Sequence, residues 1–480
     1  MQLVSNYRAR LFWPVTAAFL LALILAGSNV FAQNALRAGA ATANITPPLG
    51  SSINGGMQDR TADSIQDELH ARALVLDNGE TQLALVVVDS CLIPREIFDE
   101  AKFIAHQRTG IPIENMLMSA THTHSAPTAT AAFQSEPDKR YTDFLTVRIA
   151  DAVSRAHGNL EPAQIGWGMG KVPQHVFNRR WFMKEGTIAP NPFGAIDKVK
   201  TNPPAGGPER VKPAGPTDPT LVVVAVRRPD GTPFSLYANY SLHYVGGTGG
   251  GVSADYYGAF AQRMKDLLTD GNSNKSFVGM LSNGTSGNIN NVDFFHKRQQ
   301  KKPFEQINLV AGDVAAEALR VYSSLEFHDW IPLRTEQTQI DLGVRRPDEE
   351  EVLQAKKIVM SAKGPTMQTL EEIYARETIF LSDYPERVPL ILQAFRIQDL
   401  AIAAIPCEVF VEIGLELREK SPFTGTFTVS LANGYNGYLP TPEHHDLGGY
   451  ETWRARSSYL EREASRKIVE KLVPLIRSLR

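Results

Sequence analysis

The chain has 480 residues, of which 43% are hydrophobic, 9% aromatic and 21% charged. This composition is ordinary for a soluble globular protein and supplies enough apolar material for a large core. The formal net charge of −3 offers no basic surplus, which argues against a nucleic-acid partner.

At the N-terminus, Arg8 and Arg10 precede an apolar run from Leu11 to Ala26, then small and polar residues up to Val30-Phe31-Ala32. A positive start, a short apolar stretch and a small residue before the cut describe a secretory signal peptide. Residues 1–32 are therefore expected to be removed, which predicts a secreted or periplasmic protein with residues 33–480 as its mature domain. The alternative is an uncleaved anchor, but a run of roughly sixteen residues is short for a span and Pro14 interrupts it. Cys91 and Cys407 are the two cysteines, so no disulfide scaffold is expected. One bridge or two buried thiols both stay open.

Residues 36–46 read as a strand that enters a turn at Pro47-Pro48. Two apolar runs, 71–78 and 82–91, flank Asn78-Gly79-Glu80, a paired-strand signal. The second is almost continuous Leu and Val, which predicts a central strand buried on both faces. A helix is predicted at 94–108, then a short strand at 116–120 that runs into Thr121-His122-Thr123-His124. A helix follows at 139–158. From Pro190 to Pro219 the chain is rich in Pro and Gly, which predicts a long surface loop and a candidate lid.

Strands are predicted at 220–227 and 235–243 around Pro229-Asp230-Gly231, then a helix at 260–268. A strand at 276–281 leads into Asn283-Gly284-Thr285-Ser286-Gly287-Asn288. Helices are predicted at 307–323 and 348–378. A strand at 400–405 reaches Pro406-Cys407-Glu408, and 409–420 continues as a helix. A strand at 426–431 reaches Asn433-Gly434-Tyr435, and a charged helix at about 456–478 closes the chain. No internal sequence repeat is visible. The fold class expected is α/β: one large mixed-sheet domain, with a division into two lobes around 187–219 left open. Strands repeatedly end in segments carrying His, Ser, Glu or Tyr, and sites in α/β proteins form beyond the carboxyl ends of strands.

His122 and His124 form an H-x-H pair at the end of a predicted strand, where a period of two puts both imidazoles on one side. They are either metal-site residues or ordinary hydrogen-bonded histidines. His243 is followed by glycines at 246–247 and 249–251, which suits a ligand at a cleft or a capped core histidine. Glu408 stands where a strand becomes a helix, favourable for the helix dipole and for ligation. Tyr435 and Tyr438 lie in a Gly-rich turn, where packing is the ordinary reading. Ser286 lies in Gly-Thr-Ser-Gly, close to a nucleophile elbow, but the second glycine comes one residue early and no Ser-His-Asp set follows.

These segments, taken in order, resemble the neutral, non-lysosomal ceramidase family. Its T-H-T-H-S-x-P segment is matched by Thr121 to Pro127, and its strand ending in a ligand histidine by His243. Its G-D-V-S-P-N segment is similar to Asn283–Asn288, with Ser286 and Asn288 kept. Its P-G-E-F segment is similar to Pro406-Cys407-Glu408-Val409. Its Y-x-x-Y-I-T-T-x-E segment is matched by Tyr435 to Glu443, its Y-E pair by Tyr450-Glu451, and its N-R segment by Asn178-Arg179. Coverage runs from about Leu36 to the C-terminus. The resemblance is to the catalytic domain, without the family's C-terminal β-sandwich.

The resemblance implies one zinc ion per chain, held by His122, His243, Glu408 and Tyr438. It implies attack of metal-activated water on an amide carbon, with His124, Arg179, Tyr450 and Ser286 positioning the amide or stabilising the oxyanion. Each such preorganised donor contributes ~2.7–4 kcal/mol. The serine segment differs from the family pattern, and His444-His445 stand where the family has E-Y. The first expectation is therefore hydrolysis of ceramide or a related N-acylated lipid. The alternatives are another amide or ester on the same zinc scaffold, or a non-catalytic secreted binding protein. The presence together of all four candidate ligands argues against the last. Metallo-β-lactamase-type hydrolases also use H-x-H, but they need a longer cluster such as H-x-H-x-D-H, and Ser125-Ala126-Pro127 follow here. Peripheral membrane contact around the cleft stays open, and no amphipathic stretch marks it.

Overall fold

The computed structural model describes residues 35–271 and 276–480. The predicted signal peptide lies outside them. One five-stranded and two four-stranded sheets organise the described residues, each built on the same four-strand plan, with Glu161–Pro162 adding a short edge strand to the first. In the first, β1 (Arg37–Asn44), β2 (His70–Asp77) and β3 (Gln82–Val88) form an antiparallel meander. The chain then crosses through α1 (Arg95–Thr109) to β4 (Met116–Ala120), which lies parallel to β3. Helix α2 (Lys139–Gly158) packs on the same sheet.

The second sheet repeats this plan. The strands β5 (Gln164–Lys171), β6 (Thr220–Arg227) and β7 (Pro233–Tyr240) are antiparallel. Helix α3 (Asp255–Leu268) leads to β8 (Val278–Asn283), parallel to β7, and α4 (Glu305–Tyr322) follows. In the third sheet β9 (Leu333–Gly343), α5 (Glu349–Ser361), α6 (Leu370–Ser382), β10 (Arg387–Ile397) and β11 (Leu400–Ala404) precede α7 (Val411–Lys420). The strand β12 (Gly425–Val429) runs parallel to β11. Helix α8 (Ala464–Ser478) covers this sheet.

Alternation along the strands explains the arrangement. Leu83, Leu85 and Val87 of β3 face a central core shared with Val222 and Val224 of β6 and with Ile402 and Phe427 of the third sheet. Ala84, Val86 and Val88 face the opposite way, onto Phe98 of α1 and Ile149 of α2. Both other sheets divide likewise, with Val223 and Leu236 under α3 and α4, and Ala401 and Ala403 under α7 and α8. Burial of each Val, Leu, Ile or Phe among them contributes roughly 1.5–3 kcal/mol. Strands that are apolar on both faces are thus held between a common centre and an outer helical layer. No helix among the described residues is long and apolar enough to cross a membrane.

Several expectations need correction. The 187–219 segment is not an unstructured loop: Val199–Thr201 and Arg210–Pro213 pair with Arg180–Met183 in a small sheet. The helix expected over 348–378 is two helices, because Gly364-Pro365 breaks it and Thr369 starts α6 with a capping box to Glu372. Strands β5, β9 and β10 had no sequence expectation. Glycines at alternate positions of β5, and polar residues along β9, dilute the apolar pattern. Cys91 and Cys407 are free and buried, not bridged.

Candidate metal centre

In all three sheets the parallel strand pair points its carboxyl ends to one place. Beyond β4, Thr121 N–H donates to Val88 O at 2.9 Å and His122 N–H to Ser90 O at 2.8 Å. The parallel pairing therefore continues past the strand ends. His122 itself has φ of 74°, the left-handed region that costs a non-glycine residue strain. His122 and His124 are thus not successive same-side residues of a strand. The backbone turns at His122, and this turn, not a pleat, brings their Nε2 atoms to 3.2 Å.

His243 lies three residues beyond the end of β7 rather than at it. Asp255, at the start of α3, accepts from Val245 N at 3.0 Å and Gly246 N at 2.8 Å, which fixes the turn after His243. Glu408 follows β11. Its two-residue strand with Val409 pairs parallel to Tyr438-Leu439, so that Glu408 sits opposite Tyr438.

The imidazoles are oriented from behind. His122 Nδ1 is 3.0 Å from Cys91 O, and His243 Nδ1 is 3.1 Å from Ser286 O. A carbonyl can only accept, so each Nδ1 carries the hydrogen and each Nε2 presents its lone pair. Those two Nε2 atoms stand 3.1 Å apart. Glu408 Oε2 is 3.1 Å from His122 Nε2, yet it is buried without a hydrogen-bond partner. Two imidazole nitrogens and a carboxylate oxygen around one point could hold a cation between them, and ligand atoms of His122, His243 and Glu408 all lie within 4.8 Å of one another. Two histidines and one carboxylate with a further open position suit a divalent ion such as zinc. The residues present fit the metal on this ground.

Burial disfavours charge on the histidines. It holds His124 and His243 well below the ordinary imidazole range, helped by the positive charges at His122 and Arg179. At His122 burial acts in the same direction, but with no cation beside it the Glu408 carboxylate and Cys91 outweigh burial and push the pKa up to about 10. The site thus favours one positive charge at this point, which either a proton on His122 Nε2 or a cation in its place supplies.

Arg179 and the tyrosines form the other wall. Arg179 is buried, donates from Nε to Glu451 Oε1 at 3.1 Å and from Nη2 to Tyr438 Oη at 3.2 Å, and its Nη1 is 3.4 Å from His243 Nε2. Its guanidinium lies 5.3 Å from the Tyr450 ring centre. Tyr438 and Tyr450 hydroxyls are 3.3 Å apart. Tyr438 is thus connected to the cluster through Arg179. Ser286 contributes through its carbonyl, and its hydroxyl makes no hydrogen bond to a described residue. His124 stacks on Tyr244, with ring centres 3.6 Å apart and planes at 16°.

Sequence reading missed three functional positions. Glu451 is fully buried and carries both Arg179 and Arg180, the latter at 2.6 Å. Tyr435 donates to Glu408 Oε1 at 3.2 Å. Tyr244 supports His124. All three carried a local hint without an assigned role: Tyr244 adjoins His243, Tyr435 opens the Tyr435–Glu443 segment, and Glu451 follows Tyr450. From this centre opens a groove of about 920 Å³, lined near the site by His124, Arg179, His243 and Tyr450. Its outer walls are the segments 202–208 and 290–298, tied together by Gly206 N to Phe294 O at 3.0 Å and Asn290 Nδ2 to Asn202 Oδ1 at 2.7 Å.

No protein-family model matches the chain. Among solved structures it is similar to neutral ceramidase from Pseudomonas aeruginosa, with 18% identity and a TM-score of 0.69, over 93% of this chain and 74% of that one. It is also similar to a ceramidase complexed with C2, with 17% identity and a TM-score of 0.69, over 93% of this chain and 75% of that one. The chain has the neutral-ceramidase fold, a mixed α/β architecture.

Proposed function

We propose that the protein is a secreted zinc-dependent amidohydrolase that cleaves the N-acyl amide bond of ceramide or a related N-acylated lipid. The observation that carries this reading is the buried convergence of His122 Nε2, His243 Nε2 and the unpartnered Glu408 Oε2. The shared fold with neutral ceramidases supports it. His122, His243 and Glu408 would hold the metal, with Tyr438 completing the set. When bound, zinc supplies Lewis acidity towards a carbonyl oxygen and lowers the pKa of water.

The chain's own groups do the rest. His124 is held neutral beside the cluster and faces the groove, where it positions the amide or stabilises the oxyanion. Arg179 and the Tyr450 hydroxyl face the same space as donors to a developing oxyanion. Burial holds the Tyr450 hydroxyl protonated, and Glu451 holds Arg179 in position. Ser286 orients His243 through its carbonyl. Secretion or a periplasmic location rests on the Arg8–Ala32 segment.

A second reading keeps the site and changes the substrate to a polar amide or ester. The groove favours it, because Asn202, Asn290 and Asn291 line its outer part. One experiment tests both readings: zinc content of wild type and His243→Ala, alongside hydrolysis of a fluorogenic N-acyl sphingosine. One zinc per chain, lost in the variant together with activity, supports the first reading. Zinc without cleavage of this amide leaves the second. Absence of bound zinc in wild type overturns the metal assignment.

A further inference from the structure

The groove that leaves the metal centre is lined by no Asp or Glu. Its charged lining residues are Arg179, Lys297 and Arg298. Arg179 is compensated by Glu451 at 3.1 Å. Lys297 and Arg298 are exposed and have no ion-pair partner among the described residues. Asp293, the acid nearest to them in sequence, is engaged by His296 at 2.6 Å. Across the rim, His175 similarly engages Asp313 at 2.7 Å. Lys301 and Lys302 extend the basic run beside the groove. A chain whose formal net charge is −3 thus carries net positive charge at the outer end of its candidate substrate groove, where Lys297 and Arg298 outnumber the adjacent carboxylate, Glu209 beside Gly207. Low-dielectric walls focus such a field and raise the local concentration of anions.

From this we infer that the amide substrate carries an anionic group, a carboxylate, sulfonate or phosphate, that docks between Lys297 and Arg298. The inference rests on the amide-hydrolase reading and narrows its substrate class. The anion belongs to the amine half of the substrate. The outer walls mix Asn202, Asn290 and Asn291 with Pro203, Pro204, Pro208 and Val292, and the anion is assigned to the amine half because a charged group uses the hydrogen-bond partners and counter-charge there, which an aliphatic acyl chain cannot. The reaction itself is unchanged: the amide C–N bond breaks, water supplies oxygen to the acyl carbon, and the amine leaves with a proton.

The test uses N-octanoyl-glycine, N-octanoyl-taurine and uncharged N-octanoyl-ethanolamine on the zinc-loaded enzyme and on the K297Q/R298Q double variant. Wild type is expected to favour the two anions over the neutral amide by about tenfold in kcat/KM, the equivalent of ~1.4 kcal/mol. That preference should shrink with added salt and disappear in the double variant through KM. Equal cleavage of all three by wild type, or an equal loss on all three in the variant, overturns the inference. If none is cleaved, the hydrolase reading is what fails. Calorimetric binding of N-octanoyl-taurine against N-octanoyl-ethanolamine then decides the groove separately: tighter anion binding that the double variant loses supports the site, and equal binding overturns it. Loss of binding to vesicles containing phosphatidylserine, with substrate preference intact, would assign the basic loop to a membrane surface and overturn the inference.

Discussion

Tyr435 donates its hydroxyl to Glu408 Oε1 at 3.2 Å, which leaves Oε2 as the oxygen that faces His122 at 3.1 Å. The tyrosine therefore sets which carboxylate oxygen is available to a metal. Outer partners of this kind typically contribute 10–100-fold in metal affinity. Tyr435→Phe is expected to weaken zinc binding by about that factor while the fold persists. Competition with a chromogenic chelator measures it, and unchanged affinity would remove Tyr435 from the site.

Gly55 has φ of +105°, and a Cβ there would overlap the His124 ring. Gly55→Ala is therefore expected to displace His124 without touching the His122, His243 and Glu408 donors. Activity should fall on the order of 10²-fold, the lower range for loss of one positioning or oxyanion-stabilising donor, while zinc content stays at the wild-type value. Parallel loss of metal and activity would show that His124 itself supports the ion.

Among the described residues, Glu451 is the one carboxylate paired with the buried guanidinium groups of both Arg179 and Arg180, at 3.1 and 2.6 Å. Its carboxyl is held below the usual range: burial opposes ionisation, but Arg180 and Arg179 outweigh it. Glu451→Gln leaves two positive charges unbalanced in the interior. The expected destabilisation is about 3–5 kcal/mol, read as a lowered denaturation midpoint. A shift within about 0.5 kcal/mol would contradict the network.

Lys102 is buried on α1, and desolvation pulls its pKa from the ordinary 10.5 down to about 7. Between those values the unfolded chain binds the proton that the folded chain has released. Its contribution to stability therefore rises with pH from about 7 towards 10.5, and below 7 the full penalty applies. Wild type should gain about 2 kcal/mol from this group between pH 7 and pH 9. Lys102→Met should be more stable at pH 7 and lack that gain. Denaturant titrations at the two pH values give the comparison, and parallel behaviour of the two proteins would refute it.

Much of the fold was legible because apolar runs on both faces mark central strands. Strands β3, β6 and β11, and helices α1, α2 and α7, follow their sequence expectations within a few residues. The small sheet inside 187–219 was hidden by prolines and glycines, whose backbone preferences mask short strands that form only against Arg180–Met183. Of the site, His122, His124, His243 and Glu408 stood out because each follows a strand. Tyr435 and Glu451 lay in segments the sequence singled out, but their roles did not show, since their partners lie 27 and 272 residues away.

The sequence by itself determined where strands end and which polar residues stand just past those ends, because hydrophobic periodicity is a local property. It carries no visible repeat. Only the tertiary structure decided that three sheets share one plan, a meander followed by a helical crossover to a parallel strand. Parallel pairing aims the carboxyl ends of both strands the same way, and the shared core turns all three pairs towards one point. His122, His243 and Glu408, one from each sheet, meet there for that reason.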